Sequence, residues 1–149
     1  MQYSWLIPKR LAVGERPATL ESMPALGFSA VLSLQEEDEP GPEGSPPAGL
    51  LWARIPIRDG LVGGVPSLGD IGTAVDLLRG FQDQGRATYV HCYAGIGRSP
   101  TICMAYLGAS EGLTFQESYM RVRRAHGRAE PTPGQLAALA MYLDGLRVR

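Results

Sequence analysis

Short apolar runs alternate along the chain with longer segments in which apolar residues recur every three or four positions. The short runs predict β-strands over residues 4–7, 11–13, 30–34, 51–57 and 88–92. The periodic segments predict helices over residues 18–26, 68–84, 99–110, 114–125 and 133–146. This alternation of strands and helices is typical of an α/β protein.

Length, charge and cysteine content limit the classes of function. The 149 residues correspond to one domain, expected to cover residues 1–149. A formal net charge of −1 argues against a nucleic-acid partner, and no apolar stretch approaches the length that spans a membrane. Two cysteines, Cys92 and Cys103, are too few for a disulfide framework or a cysteine-based zinc site. We therefore expect a cytoplasmic protein with no metal, no cofactor and no membrane partner, and with Cys103 in the core.

The segment HCYAGIGRS, residues 91–99, lies between a predicted strand and a predicted helix. A strand, a glycine-bearing loop and a helix N-terminus together form a cradle of backbone N–H groups for an anion. The guanidinium of Arg98 can hold two oxygens of a tetrahedral dianion. The segment therefore predicts a phosphate-binding loop with the sulfur of Cys92 at its floor. The residues expected to bind phosphate are Tyr93, Ala94, Gly95, Ile96, Gly97 and Arg98.

The same positive field favours a thiolate at Cys92. A thiolate beneath a bound phosphoryl group is positioned for in-line attack, which gives a phosphocysteine intermediate that water then cleaves. Ser99, just past the arginine, is expected to donate a hydrogen bond to the sulfur when it leaves phosphorus.

The pattern His91-Cys92-x-x-Gly95-x-x-Arg98-Ser99 resembles the signature of the cysteine-dependent protein tyrosine phosphatases, and the short chain resembles the small atypical dual-specificity phosphatases. The resemblance implies a central, mainly parallel twisted sheet of four to five strands flanked by helices. It implies hydrolysis of phosphotyrosine, phosphoserine or phosphothreonine in a phosphorylated protein or peptide. Phosphate, vanadate or sulfate is the anion expected in the site.

A phosphatase of this type needs a general acid to protonate its leaving group. Asp59 is the candidate, because it lies 33 residues before Cys92, after a predicted strand, at a separation similar to that of the acid in the family. An ordinary turn aspartate is the alternative. The turn that follows contains glycines that would let it close over substrate. These glycines are Gly60, Gly63 and Gly64.

Four further residues are candidates for supporting roles. His91 is expected to orient the loop through backbone hydrogen bonds. Resemblance to the family implies that Gln135 or Thr132 orients the hydrolytic water, with helix capping as the alternative for Thr132. Glu36 follows an inner strand and is expected to form a salt bridge with Arg98.

Other functions remain open on the sequence alone. One is a phosphatase of a glycan, a nucleotide or an RNA 5′ phosphate. Another is a rhodanese-like sulfur carrier, and a third is an inactive phosphate-binding module. Lipid-directed relatives often carry lysines at the variable loop positions; this chain has Tyr93 and Ile96 there, which argues against highly phosphorylated inositides.

Overall fold

The computed structural model describes residues 1–147 and contains one five-stranded sheet. The strands are β1 (Tyr3–Ile7), β2 (Leu11–Gly14), β3 (Ala30–Ser33), β4 (Leu51–Arg54) and β5 (Thr88–His91). They lie in the order β1-β2-β5-β3-β4, and β1 is antiparallel to β2 whereas the other pairs are parallel. The predicted α/β class with a mainly parallel sheet is confirmed, and β5, which leads into the segment predicted to bind phosphate, is its central strand.

Four helices accompany the sheet. They are α1 (Leu68–Asp83), α2 (Arg98–Glu111), α3 (Phe115–Ala125) and α4 (Pro133–Arg147). Side-chain caps begin two of them: the hydroxyl of Ser67 accepts from the third residue of α1, and Thr114 forms a reciprocal capping box with Glu117 in α3. α2 packs against the other three helices and is buried from Arg98 to Gly108. The segment predicted to bind phosphate therefore enters a helix that the surrounding core holds in place.

The alternation of side chains along the strands divides the core between the two faces of the sheet. Leu11, Val13 and Val90 belong to the cluster that includes the buried residues of the helices. Ala12 and Tyr89 belong to a second cluster, rich in aromatic rings, to which Leu20, Met23 and Phe28 of segment 15–29 also belong. In that cluster the rings of Trp5 and Phe28 are stacked, with centroids 4.9 Å apart. The segment that covers this face does so without a regular helix.

The helix predicted over residues 18–26 is wrong. Only a single 3-10 turn forms there, at Pro24–Leu26. Pro24 has no N–H to donate and restricts the residue before it, so it begins the turn and cannot continue a helix. Thr19 is meanwhile paired with Glu43 in an isolated parallel bridge. The apolar residues of this segment, Leu20 and Met23, are buried as expected, but from an irregular backbone.

Candidate active site

The loop between β5 and α2, residues 92–97, turns its carbonyl groups outward. Each of its six carbonyl oxygens accepts a hydrogen bond from a group outside the cradle, over 2.7 to 3.3 Å. In the order of the carbonyls, the donors are His91 Nδ1, Arg16 N, Arg128 Nη2, His126 Nε2, Glu130 N and Thr101 Oγ1. In a trans peptide the N–H points opposite to the C=O. The amides of residues 93–98 therefore point inward, where they can bind an anion.

Gly95 makes this loop possible. Its φ angle is +73°, a left-handed conformation that side chains disfavour. A Cβ atom there would lie 2.6 Å from the carbonyl carbon of Gly14. The loop thus packs directly on the end of β2, and Gly95 allows both the turn and the close approach.

Cys92 lies at the floor of the loop and is 3% exposed. Its Sγ atom is 3.2 Å from the Oγ atom of Ser99, at the beginning of α2. The same hydroxyl lies 3.3 Å from the carbonyl oxygen of Gly14. One hydroxyl proton can therefore serve either acceptor, and it is available to the sulfur in whichever step the sulfur gains negative charge.

Arg98 is buried and its guanidinium is held on three sides. Nη1 and Nη2 donate to the two carboxylate oxygens of Glu39 over 2.7 and 2.8 Å. Nη1 also donates to the carbonyl oxygen of Ile57 over 2.8 Å, and Nη2 lies 3.4 Å from Oδ2 of Asp59. The planar group is therefore fixed in orientation at the first turn of α2.

Glu39, and not the predicted Glu36, forms the salt bridge with Arg98. The chain turns back at residues 36–39, where the amide of Glu39 donates to the carbonyl of Glu36. The amide of Glu36 in turn donates to the Glu39 carboxylate over 2.7 Å. The turn directs the side chain of Glu39 toward the guanidinium and leaves Glu36 supporting it through its backbone.

The charges of this pair reinforce each other. Partial burial acts to raise the pKa of Glu39, but hydrogen bonds from Arg98 and the Glu36 amide, with the charges of Arg98 and Arg54, outweigh it and lower that pKa. Burial acts to lower the pKa of Arg98, but the bond to Glu39 and the nearby negative charges raise it. Both side chains are held in their charged forms.

Asp59 lies at the rim of the same site. It caps the 3-10 turn at Gly60–Val62: its Oδ1 atom accepts from the amide of Leu61 over 3.0 Å. Its side chain is 36% exposed, and its other oxygen faces Arg98. The cap orients the carboxyl group so that Oδ2 lies at the mouth of the pocket, beside the guanidinium of Arg98.

A pocket of about 120 Å³ brings most of the predicted residues together. Its lining includes Asp59, Cys92, Tyr93, Ala94, Ile96, Gly97, Arg98, Thr132 and Gln135. The hydroxyl of Thr132 accepts from the amide of Gln135, whose Oε1 atom accepts from the amide of Thr132. Both residues therefore cap α4 and also line the pocket, and the two interpretations considered for Thr132 are compatible.

His126 is a residue of this site that the sequence analysis missed. Its Nε2 atom donates to the carbonyl of Gly95, and its Nδ1 atom lies 2.8 Å from Oγ of Ser4. Burial lowers its pKa, so the neutral ring links the loop between β5 and α2 to β1. A histidine among arginines gives no sequence signal for such a buried role.

Residues 1–147 contain no group of three or more His, Cys, Asp or Glu side chains arranged to hold a metal ion. Among the helices of this part of the chain, none is long and apolar enough to cross a membrane.

The fold and the cysteine–arginine phosphate loop define a phosphatase class, and comparison with known proteins identifies the family. The family model described as "Dual specificity phosphatase, catalytic domain" matches residues 12–144. The chain therefore belongs to the dual specificity phosphatase family.

Two individual relatives match only part of this chain. Human dual specificity protein phosphatase 5 is 32% identical over 93 residues, which are 62% of this chain and 24% of that protein. Phosphatidylglycerophosphate phosphatase PTPMT2 of Arabidopsis thaliana is 38% identical over 81 residues, which are 54% of this chain and 35% of that protein. The chain thus spans about a quarter to a third of the length of these relatives.

A solved structure extends the similarity of the fold to the whole chain. The crystal structure of PTPMT1 superposes with a TM-score of 0.86 at 24% identity, covering 99% of this chain and 98% of the other. The same protein has been solved in complex with PI(5)P. At this level of identity the similarity shows the fold alone.

Proposed function

We propose that the protein hydrolyses phosphate monoesters of phosphorylated proteins or peptides through a phosphocysteine intermediate. One observation carries the proposal: the inward amides of the loop, the fixed guanidinium of Arg98 and the sulfur of Cys92 converge on one pocket, with the carboxyl group of Asp59 at its mouth. Amides and guanidinium together suit a phosphoryl dianion. The sulfur below supplies a nucleophile in line with the bond to be broken.

In the first step, the Cys92 thiolate attacks phosphorus and forms the S–P bond while the bond from phosphorus to the leaving oxygen breaks. Protonated Asp59 gives its proton to that oxygen, so that an alcohol or phenol leaves. Arg98 and the loop amides stabilise the charge on the three equatorial oxygens. The product of this step is phosphocysteine and an ionised Asp59.

In the second step, water attacks the phosphocysteine and the S–P bond breaks. Asp59 accepts a proton from the water, and inorganic phosphate is released. The position of Gln135 and Thr132 in the pocket lining supports a role in orienting this water. The hydroxyl of Ser99 stabilises the departing thiolate of Cys92, which its distance from the sulfur allows.

Substitution of the two cysteines tests the nucleophile. Cys92→Ser should lower hydrolysis of p-nitrophenyl phosphate, without added metal, by on the order of 10³-fold or more. Cys103→Ser is the matched control, because burial raises the pKa of the Cys103 thiol and keeps it unreactive. Full activity in Cys92→Ser would exclude the mechanism. Persulfide formation from thiosulfate would favour the rhodanese-like alternative, and no turnover of any phosphate ester would favour a binding module.

A lipid phosphate monoester is the second candidate substrate. Apolar side chains surround the mouth of the pocket: Leu61 is 90% exposed, and Tyr93 and Ile96 are also exposed. Such a rim suits an aromatic phosphotyrosine ring and equally an acyl chain, and a relative is named as a phosphatidylglycerophosphate phosphatase. Turnover of a phosphotyrosyl peptide compared with a detergent-dispersed lipid phosphate monoester, each with Cys92→Ser as the blank, distinguishes the two.

The proposal extends to the cellular location. A thiolate nucleophile must stay reduced, and neither Cys92 nor Cys103 is paired in a disulfide. We therefore propose the cytoplasm, which subcellular fractionation of the expressed protein would test.

A further inference from the structure

A chain of hydrogen bonds runs across the sheet from the edge strand β4 to the backbone of the nucleophile. Trp52 Nε1 on β4 lies 2.8 Å from Ser33 Oγ on β3. Ser33 Oγ lies 2.5 Å from His91 Nε2 on β5, and these two residues are direct neighbours in the strand pairing. His91 Nδ1 lies 3.0 Å from the carbonyl oxygen of Cys92. This hydrogen-bond chain thus connects Trp52, at the surface of the protein, with the phosphate-binding loop.

The two ends of this chain fix the direction of every hydrogen bond in it. An indole N–H can only donate, and a carbonyl oxygen can only accept. His91 must therefore carry its hydrogen on Nδ1, which donates to Cys92. In the neutral ring Nε2 is then an acceptor, so the hydroxyl of Ser33 donates to it and the oxygen of Ser33 accepts from Trp52.

The arrangement also disfavours a protonated His91. An imidazolium would place a second N–H against Ser33 Oγ, which already accepts from Trp52 and would then have no acceptor for its own hydrogen. Burial is the main cause that lowers the pKa of His91 to about 4. The charged side chains that act on His91 are all cationic, namely Arg54, Arg98 and Arg16, and the neighbouring titratable groups are Cys92 and Tyr89.

We propose that Trp52 and Ser33 are positioning residues for the reaction, because they lock the ring of His91 so that Nδ1 donates to the Cys92 carbonyl. That carbonyl shares its peptide plane with the amide of Tyr93, the first amide of the cradle. The chain therefore holds the first anion-binding N–H inward and sets the backbone beside the sulfur. None of these side chains except His91 belongs to the signature segment, and Trp52 is 36% exposed on β4.

Four variants test the chain. Ser33→Ala should lower kcat/KM for p-nitrophenyl phosphate about tenfold, because His91 is then held at one nitrogen only, and Ser33→Thr, which keeps the hydroxyl, should restore it to within about twofold. Trp52→Phe keeps an aromatic ring but removes the N–H, and it should lower kcat/KM about threefold. Trp5→Phe is the matched control, since Trp5 belongs to the aromatic cluster and not to this chain.

The pKa of His91, followed by NMR, reports on the state of the ring itself. Because exposure of the ring would also raise this pKa, Trp5→Phe serves as the control for a change in packing alone. In Trp52→Phe the positive end of the indole N–H no longer faces the Ser33–His91 pair, so a protonated ring is less disfavoured and the pKa of His91 should rise above that in the wild type and in Trp5→Phe. An unchanged His91 titration in Trp52→Phe would overturn the proposal. So would a folded Ser33→Ala protein with kcat/KM within twofold of the wild type. If Ser33→Ala does not fold, the Trp52→Phe titration decides alone.

The kinetic part of this test rests on the proposed phosphatase function, but the titration does not. If the wild-type protein hydrolyses no phosphate ester, the proposed function fails while the Trp52→Phe titration still tests the hydrogen-bond chain. If the wild type is active and the Trp52→Phe titration is unchanged, the proposal of the hydrogen-bond chain fails while the proposed phosphatase function stands.

Discussion

Glu39 holds the guanidinium of Arg98, which we propose binds the phosphoryl group of the substrate. Its carboxylate takes one N–H from each terminal nitrogen of Arg98, and its own lowered pKa keeps it ionised at neutral pH. Glu39→Gln keeps the shape of the side chain but removes its negative charge and replaces one acceptor oxygen with an NH₂ group. We expect kcat/KM for p-nitrophenyl phosphate to fall by about ten- to a hundredfold, as the charge-assisted bonds contribute about 1.5 to 3 kcal/mol.

The matched control for this substitution is Glu36→Gln. Glu36 supports the turn only through its backbone, so its amide side chain should leave kcat/KM within about twofold of the wild type. Equal losses in the two variants would mean that the acidic turn acts through its total charge and not through the Arg98 pair.

At the level of single residues, local sequence predicted the parts of the site that are contiguous. The cysteine, the arginine and the loop glycines lie within one segment between a strand and a helix, so their meeting follows from local geometry. The partner of Arg98 does not, because choosing Glu39 over Glu36 requires the conformation of an irregular acidic turn. His126 and Ser33 were missed for a related reason: their partners lie 31 and 58 residues away.

Among the structural elements, the Asp59 loop, residues 59–66, turns back so that Gly64 packs against residues 58 and 59. The amide of Gly64 donates to the carbonyl of Asp59 over 2.9 Å, and a Cβ atom on Gly64 would lie 2.0 Å from the carbonyl oxygen of Arg58. Gly64→Ala must therefore displace the backbone that carries Asp59. We expect kcat/KM to fall at least tenfold for substrates with poor leaving groups and less for p-nitrophenyl phosphate, because a good leaving group depends less on the acid.

Gly80→Ala provides the control for the loop substitution. Gly80 lies within α1, and apart from the adjacent backbone of the helix itself no atom lies within 4 Å of a Cβ atom built there. Activity should be unchanged and the free energy of unfolding should rise by about 0.5 to 1 kcal/mol from the helix preference of alanine. The interpretation of Gly64 fails if Gly64→Ala is folded and its activity falls equally on both kinds of substrate.

The periodicity of apolar residues predicted the four α-helices but not the conformation of every apolar segment. The segments that became α1 to α4 have caps or apolar spacing that agree with their packing, and their predicted bounds lie within a residue or two of those observed. The segment before β3 carries apolar residues at similar spacing, but Pro24 prevents the helix and the sheet face buries those residues instead. Burial was thus predictable from the pattern, whereas the backbone conformation depended on one residue and on a distant pairing.

For the molecule as a whole, burial of His91 couples folding to pH. The pKa of about 4 in the folded protein lies below the value of about 6.5 expected in the unfolded chain. As the pH falls, the unfolded chain therefore binds the proton before the folded protein does. The contribution of neutral His91 to the free energy of unfolding is complete above about pH 6.5 and is lost as the pH falls toward 4. His91 alone should lower the free energy of unfolding by about 1 kcal/mol between pH 7 and pH 5.5, before most carboxylates titrate.

Urea denaturation at pH 7 and pH 5.5 measures this coupling in the wild type, in His91→Gln and in His126→Gln. His91→Gln should be less stable at pH 7, because its partners in the sheet are lost, but its stability should change less between the two pH values. His126→Gln should keep the part of the change that belongs to His91, while losing the smaller part that follows from its own lowered pKa. If His91→Gln and the wild type lose equal stability over this interval, His91 is not the group that links folding of the sheet to pH. In that case the buried hydrogen-bond chain behind the phosphate-binding loop would have to accommodate an imidazolium, contrary to the direction that its two ends impose.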